Sequence, residues 1–281
     1  MTEFKSGFVS IIGRPNVGKS TLLNAIIGQK VSIVSDKPST TRNQVRGILT
    51  EKRGQIVFVD TPGIHKPRSL LGQRLNDSAN HAISEVDLVL AMVDASQDIG
   101  RGDSFVLERA PAASIVVVNK TDLVAGSEIL ACLTKLAKFD KSSYYPISAQ
   151  TGDGVKELLD ELFGRLPHGP MYYPPETLTD ISDADWVAEL VREQLLIVAR
   201  EELPHSIACK VTEWEWPRIR CEIHVERSSQ KAIVIGKGGL VLKEVGTQVR
   251  RQLPEGAFLE LFVKVNPRWQ SKAHSLERLG L

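Results

Sequence analysis

Through residue 166 the chain alternates short apolar runs with segments whose apolar positions recur every three or four residues. Runs at 8–13, 45–51, 55–60, 88–94, 114–119 and 144–147 are rich in Val and Ile, and they predict strands. The helical period marks 19–27, 69–84, 104–109, 128–137 and 155–163. Strand and helix in alternation predict an α/β domain, a mostly parallel sheet with helices on both faces. Pro167, Pro170, Pro174 and Pro175 then interrupt the pattern. No helix continues through that spacing, so 167–182 is expected to be a semi-rigid linker. Beyond it, Val187, Leu190, Val191, Leu195 and Val198 share one face of a helix over 186–201. Two alternating runs follow, 205–214 and 218–227, with Trp214-Glu215-Trp216-Pro217 as the turn between them. In the second run Ile219, Cys221, Ile223 and Val225 fall on one face. A short helix, a glycine loop at 236–239, a helix over 240–253 and a strand over 258–265 complete a small α+β domain. The expected division is 1–166, linker 167–182, and 183–281.

A length of 281 residues suits two domains, and 42% hydrophobic with 25% charged residues is ordinary for a globular protein. The formal net charge of +1 excludes a polycation, so any nucleic-acid surface must be local. Cys132, Cys209 and Cys221 form no CxxC pair, which fits reduced thiols better than a disulfide framework. The six histidines show no metal-ligand spacing. The most apolar stretches, such as 88–93 and 115–118, fall far short of the ~20 residues a spanning helix needs. Residues 1–6 carry no apolar signal core, so the expected location is the cytoplasm.

Candidate chemistry sits at the strand ends. Gly13-Arg14-Pro15-Asn16-Val17-Gly18-Lys19-Ser20 fits GxxxxGK[ST], follows a predicted strand and opens a helix at Thr21. Such a loop curls so that consecutive N–H groups face phosphates, while Lys19 adds a point charge and the Ser20 hydroxyl a ligand for Mg²⁺. Asp60-Thr61-Pro62-Gly63 ends another strand, placing a carboxylate to reach Mg²⁺ through water and the Gly63 N–H to sense a γ-phosphate. Asn119-Lys120-Thr121-Asp122 follows the run 115–118 and selects the base. The Asp122 carboxylate can accept two parallel hydrogen bonds from guanine N1–H and its 2-amino group, a donor pair adenine lacks. Lys120 can lie along the purine, Asn119 can tie this loop to the phosphate loop, and Ser148-Ala149-Gln150 can close the pocket.

The second half carries Gly236-Lys237-Gly238-Gly239 between two predicted helices, the arrangement with which KH modules clamp a nucleic-acid backbone. Arg227, Lys231, Lys237 and Lys243 lie within 227–243 without an acid, and Arg250 and Arg251 extend the charge. Residues 186–281 hold 15 basic and 12 acidic residues against 20 and 22 in the rest, an asymmetry that supports a localised patch.

In linear order these motifs resemble the G1, G3, G4 and G5 boxes of translation-factor-type GTPases, and Ser39-Thr40-Thr41-Arg42-Asn43 falls where that family has switch I. The resemblance assigns Thr41, ahead of Thr40, to the Mg²⁺ shell with Ser20 and Asp60, and gives Lys19, Thr41 and Gly63 the catalytic positions. Ile64 stands where Ras-like proteins place the water-orienting glutamine, which predicts slow intrinsic hydrolysis. His65 is expected to be an exposed switch II residue. Val225-Glu226-Arg227-Ser228-Ser229-Gln230-Lys231 through Gly239, with the later Leu261-Phe262-Val263-Lys264-Val265-Asn266-Pro267-Arg268-Trp269, resembles the C-terminal type II KH domain of bacterial Era GTPases. The turn at 213–218 is shorter than is usual there. This resemblance implies GTP and GDP as ligands, Mg²⁺ as cofactor, and 16S-type rRNA near its 3′ end and the small (30S) ribosomal subunit as partners. It also implies a monomer with peripheral membrane contact, and an RNA surface of Arg227, Lys231, Ile235, Gly236, Lys237, Gly238, Gly239, Lys243 and Arg250. The alternative is a membrane-associated or cell-cycle signalling GTPase whose C-terminal domain binds protein.

Overall fold

The computed structural model describes residues 4–37, 40–42, 44–63, 69–198 and 206–281. Ser39, Asn43, Ile64 and His65 lie outside them. The chain divides into two compact units, the first ending at Asp180 and the second built on Ile181–Leu281.

In the first unit six strands are ordered β2-β3-β1-β4-β5-β6. They are β1 (Lys5–Gly13), β2 (Val45–Glu51), β3 (Gly54–Asp60), β4 (Leu88–Asp94), β5 (Ile115–Asn119) and β6 (Ser143–Pro146). Only β2 runs antiparallel, against β3. The period of two divides the core. Val9, Ile11, Leu90, Met92, Ile115 and Val117 pack with α1 (Lys19–Ile27) and α5 (Val155–Arg165). Ile12, Val89, Ala91, Val93, Val116 and Val118 face the other layer, where Ala79 of α2 (Leu70–Ser84), Val106 of α3 (Arg101–Arg109) and Leu136 of α4 (Gly126–Leu136) meet them. Burial on both faces explains why these strands read as continuous apolar runs. Because β1, β3, β4, β5 and β6 are parallel, their carboxyl ends share one edge, where open α/β sheets bind ligands.

Two helices begin earlier than their apolar period indicates, because a carboxylate caps each. Asp103 Oδ2 accepts the Gly100 N–H at 3.0 Å, starting α3 at Arg101, and Glu128 Oε2 accepts the Ala125 N–H at 2.9 Å ahead of α4. The proline-rich stretch is fastened to the first unit. Gln55, fully buried, accepts the N–H groups of Tyr172 and Tyr173 and donates to Tyr173 O at 2.8 Å. The Ile48 N–H reaches Leu178 O at 2.9 Å, and Arg46 pairs with Asp180 at 2.9 Å.

The second unit has a three-stranded sheet, β7 (Ala208–Glu215), β8 (Arg218–Val225) and β9 (Phe258–Val265), with β8 central. β7 is antiparallel to β8, whereas β9 is parallel to it and needs the crossover through α7 (Ser228–Ile235) and α8 (Leu240–Arg250). Ile219, Cys221, Ile223 and Val225 of β8 form the core with Leu190 and Val191 of α6 (Asp183–Val198), Val234 of α7, and Val245 and Val249 of α8. α6 starts three residues before its expected position because Ser182 caps it, its Oγ accepting the Asp185 N–H at 3.1 Å. A last helix, α9 (Ala273–Leu279), was not predicted from the sequence pattern; Leu276 and Leu279 are its buried side.

Candidate functional site

The phosphate-binding pattern forms the turn from β1 into α1. Gly18 has φ +100°, and a Cβ there would come within 2.2 Å of Asn119 Nδ2, so only glycine fits. Asn16 also takes a left-handed conformation, φ +67°. Lys19 is buried, and its Nζ donates to the carbonyls of Arg14 (3.1 Å) and Gly13 (3.3 Å). Burial lowers the Lys19 pKa, an effect the nearby Asp60 charge opposes. The Arg14 side chain is committed elsewhere, to Asp103 of α3 at 2.8 Å. Val17 is a core residue, and Thr21 sits in the first turn of α1.

Oxygen atoms converge beside Lys19. The Ser20 Oγ donates to Asp60 Oδ2 at 2.7 Å, the Ser32 Oγ does so at 3.2 Å, and Thr41 Oγ1 stands 3.5 Å from Asp60 Oδ2 and 3.1 Å from Ser20 Oγ. Thr40 turns away, donating to Lys37 O at 2.7 Å, so Thr41 is the threonine facing the cluster. Asp60 is fully buried, and its second oxygen, Oδ1, has no hydrogen-bond partner. Burial raises the Asp60 pKa against the Lys19 charge and the hydroxyl donors. A buried carboxylate with an unpaired oxygen, flanked by hydroxyls, is a donor set suited to a hard cation. Mg²⁺ therefore fits at Ser20, Thr41 and Asp60. The Asp60-Thr61-Pro62-Gly63 segment lies close to the phosphate loop: the Thr61 hydroxyl donates to Ile11 O at 2.8 Å, and a Cβ on Gly63 would meet Pro15 N at 2.9 Å.

The residues expected to read the base gather at the ends of β5 and β6. Asn119 bridges both loops, its Nδ2 donating to Val17 O at 2.7 Å while its Oδ1 accepts the Ala149 N–H at 2.9 Å. Asp122, in a 3₁₀ turn at Thr121–Leu123, receives a hydrogen bond at 2.6 Å from Ser148 Oγ to Oδ1 and remains exposed. The N–H of Ser148 donates to Asp153 O at 2.9 Å, so the N–H groups of Ser148 and Ala149 both fix the loop, and Gln150 stands exposed beside them. Lys120, φ +67°, pairs with Asp94 at 2.6 Å. Burial alone would raise the Asp94 pKa, but hydrogen bonds from Lys120 and Ser96 hold it below the usual carboxylate range.

Sequence reasoning missed three contributors. Asp94 orients Lys120; its only sequence signal is that it ends a strand, as Asp60 does. Asn24 holds the chain after α1, its Oδ1 accepting the N–H groups of Val31 and Ser32 at 2.9 Å. Ser32 joins the Asp60 cluster. Neither Asn24 nor Ser32 belongs to a recognisable pattern.

In the second unit Gly236, Gly238 and Gly239 all have positive φ (73°, 61° and 79°), and a Cβ on Gly236 would meet Val241 Cγ2 at 2.5 Å. Arg227, Lys237, Lys243 and Arg250 are exposed, while Lys231 and Ile235 are half-buried. Ile233 and Leu240, 55% and 65% exposed, add apolar surface on either side of the glycine loop. Backbone N–H groups, cations and apolar contacts together suit an unpaired nucleic-acid strand.

A strand-end crevice with a phosphate loop, an oxygen cluster and an exposed carboxylate after β5, followed by a helix-GxxG-helix module, defines a P-loop GTPase with an RNA-binding domain. Family comparison agrees: the model described as 50S ribosome-binding GTPase matches residues 8–120, and that described as KH domain matches 202–270. GTPase Era of Leuconostoc citreum (strain KM20) is 44% identical over 295 residues, 99% of this chain and 97% of that protein. Two solved structures are similar at 36% identity over 99% of each chain. One is a point variant of Aquifex aeolicus Era bound to GDP·AlF4⁻, TM-score 0.93; the other is Era in complex with MgGDPNP and nucleotides 1506–1542 of 16S ribosomal RNA, TM-score 0.94. The chain belongs to the Era family of GTPases.

Proposed function

We propose that this GTPase acts as a monomeric switch that binds the 3′ region of 16S-type rRNA through its KH module and assists maturation of the small ribosomal subunit. The observation that carries the reading is the shared strand edge. The Asp60 oxygen cluster and the Asp122 carboxylate are linked through Asn119, so phosphates and base are read by one connected frame. The similar Era structures, one with GDP·AlF4⁻ and one with MgGDPNP and 16S rRNA, support both halves of it.

In this reading Gly13–Thr21 hold the phosphates, with the Lys19 ammonium answering their charge. Asp122 accepts the guanine N1–H and 2-amino donors, Lys120 lies along the purine, and Asn119 with Ser148, Ala149 and Gln150 keeps the pocket in shape. Ser20, Thr41 and, through water, Asp60 hold Mg²⁺, which neutralises charge on the β- and γ-phosphates when bound. The Gly63 N–H faces the γ-phosphate, and water attacks the γ-phosphorus to give GDP and phosphate. Ile64 has no polar atom with which to orient that water, so intrinsic turnover is slow. Arg227, Lys231, Ile235, the Gly236–Gly239 loop, Lys243 and Arg250 form the RNA surface.

The reading places the protein in the cytoplasm, which the free Cys132, Cys209 and Cys221 support. The reading also includes a peripheral membrane contact; no described helix is long and apolar enough to cross a bilayer. The test is to sequence the RNA that copurifies with protein loaded with a nonhydrolysable GTP analogue or with GDP. Enrichment of the 16S 3′ end in the first sample is the expected result, and a protein partner without RNA would contradict it.

A further inference from the structure

Between its ends the phosphate loop is tethered at two points. Asn119 holds the later half through Val17 O at 2.7 Å. The other tether comes from α3, outside every nucleotide motif. Asp103 is 4% exposed, and its Oδ2 serves two partners. That oxygen accepts the Gly100 N–H at 3.0 Å, capping the helix, and an N–H from Arg14 Nη1 at 2.8 Å. Gly102 makes room for the arginine. A Cβ there would come within 2.9 Å of Arg14 Cδ and 3.0 Å of its Nε, so the Arg14 stem lies directly against the first turn of α3. Val106 and Leu107 bury the same helix in the core on the sheet, so Asp103 stands on a rigid element.

This tether bears on Lys19. The Lys19 Nζ donates to Arg14 O at 3.1 Å and to Gly13 O at 3.3 Å, and those carbonyls belong to the two peptide groups that flank the Arg14 α-carbon. Holding the Arg14 side chain in place therefore holds both acceptors that aim the ammonium. The Arg14 guanidinium is matched by a buried carboxylate and is not free to serve as a phosphate cation. During phosphoryl transfer the lysine answers charge on the β- and γ-phosphates, so a small error in its aim is felt more in the transition state than in the ground state.

We propose that Asp103 is a positioning residue for GTP hydrolysis: through Arg14 it sets the two carbonyls that aim Lys19. The inference rests on the assignment of Gly13–Ser20 to the phosphates, and it extends that site to a carboxylate 89 residues away from Arg14 in sequence.

The test measures kcat and KM for GTP hydrolysis, together with thermal unfolding, on the full chain and its variants. Asp103→Asn keeps an acceptor for the Gly100 N–H but loses the charge, and Arg14→Met keeps the stem but loses the guanidinium. Each is expected to lower kcat about tenfold while KM stays within about threefold. The double variant is expected to fall no further than the worse single one, because both changes break the same link. Arg14→Lys is expected to keep kcat within about threefold of the unaltered protein, since the link is one hydrogen bond that an ammonium can also make. Gly102→Ala leaves Asp103 intact and favours the helix, yet crowds Arg14. It is expected to lower kcat about threefold without lowering the unfolding temperature, a split that a purely structural role of α3 would not produce. Additive losses in the double variant would mean that Arg14 meets the phosphates directly, and an unchanged kcat in either single variant would leave Asp103 as a helix cap alone; both results overturn the proposal. Lys19→Ala checks the underlying site. Loss of GTP binding is expected, whereas unchanged kcat and KM would remove the phosphate-site assignment and this inference with it.

Discussion

Asn119 joins two recognition tasks. Its amide holds the phosphate loop through Val17 O and the base loop through Ala149 N–H, and it is 2% exposed. Truncation would strand both partners in a buried place. Asn119→Ala is expected to cost about 2 kcal/mol of stability and to weaken GTP binding by about tenfold or more, measured by chemical denaturation and by calorimetry. Unchanged GTP affinity would mean that the two loops do not depend on this bridge. In the proposed reading Asp122 carries base choice. Asp122→Asn replaces one acceptor with a donor and is expected to move preference from guanine to xanthine nucleotides, read by competition against labelled GTP. These residues were legible in the sequence because each lies in a short contiguous motif. Asp94, Asn24 and Ser32 were not, because their partners are set by strand register and by the path of the chain after α1.

At the level of elements, the helices and strands of the first unit follow their apolar period closely, and the early starts of α3 and α4 come from capping. The carboxylates of Asp103 and Glu128 start α3 and α4 before the first core residue, a signal that hydrophobic period does not contain. α9 went unpredicted for a different reason. It has seven residues, and only Leu276 and Leu279 are buried, too few to establish a period. The pairing of β8 with β9 was equally hidden, since a parallel pair is joined by distant segments. β8 is the element on which the second unit depends, with Ile219, Cys221, Ile223 and Val225 almost entirely buried. Ile223→Ala is expected to destabilise that unit by about 2–5 kcal/mol, followed by its unfolding transition. GTP affinity should stay within about twofold, because the core around Ile223 holds no residue of the nucleotide site.

For the whole molecule, the sequence order of motifs already implied a nucleotide-dependent RNA binder, and within the first unit the fold supplies the reason the nucleotide motifs act together: parallel strands bring their ends to one edge. The proline-rich stretch is part of that frame, pinned through Gln55, Ile48 and Arg46 as far as Asp180, which its composition alone did not reveal. A switch requires GTP to favour the RNA-competent state more than GDP does, since a nucleotide with no such preference shifts nothing. Equilibrium titration of a labelled 16S 3′-end RNA into the full chain, loaded in turn with a nonhydrolysable GTP analogue and with GDP, tests that requirement directly. Binding at least about tenfold tighter in the first state, a coupling of about 1.4 kcal/mol, is the predicted result; equal affinity in the two states would contradict the account.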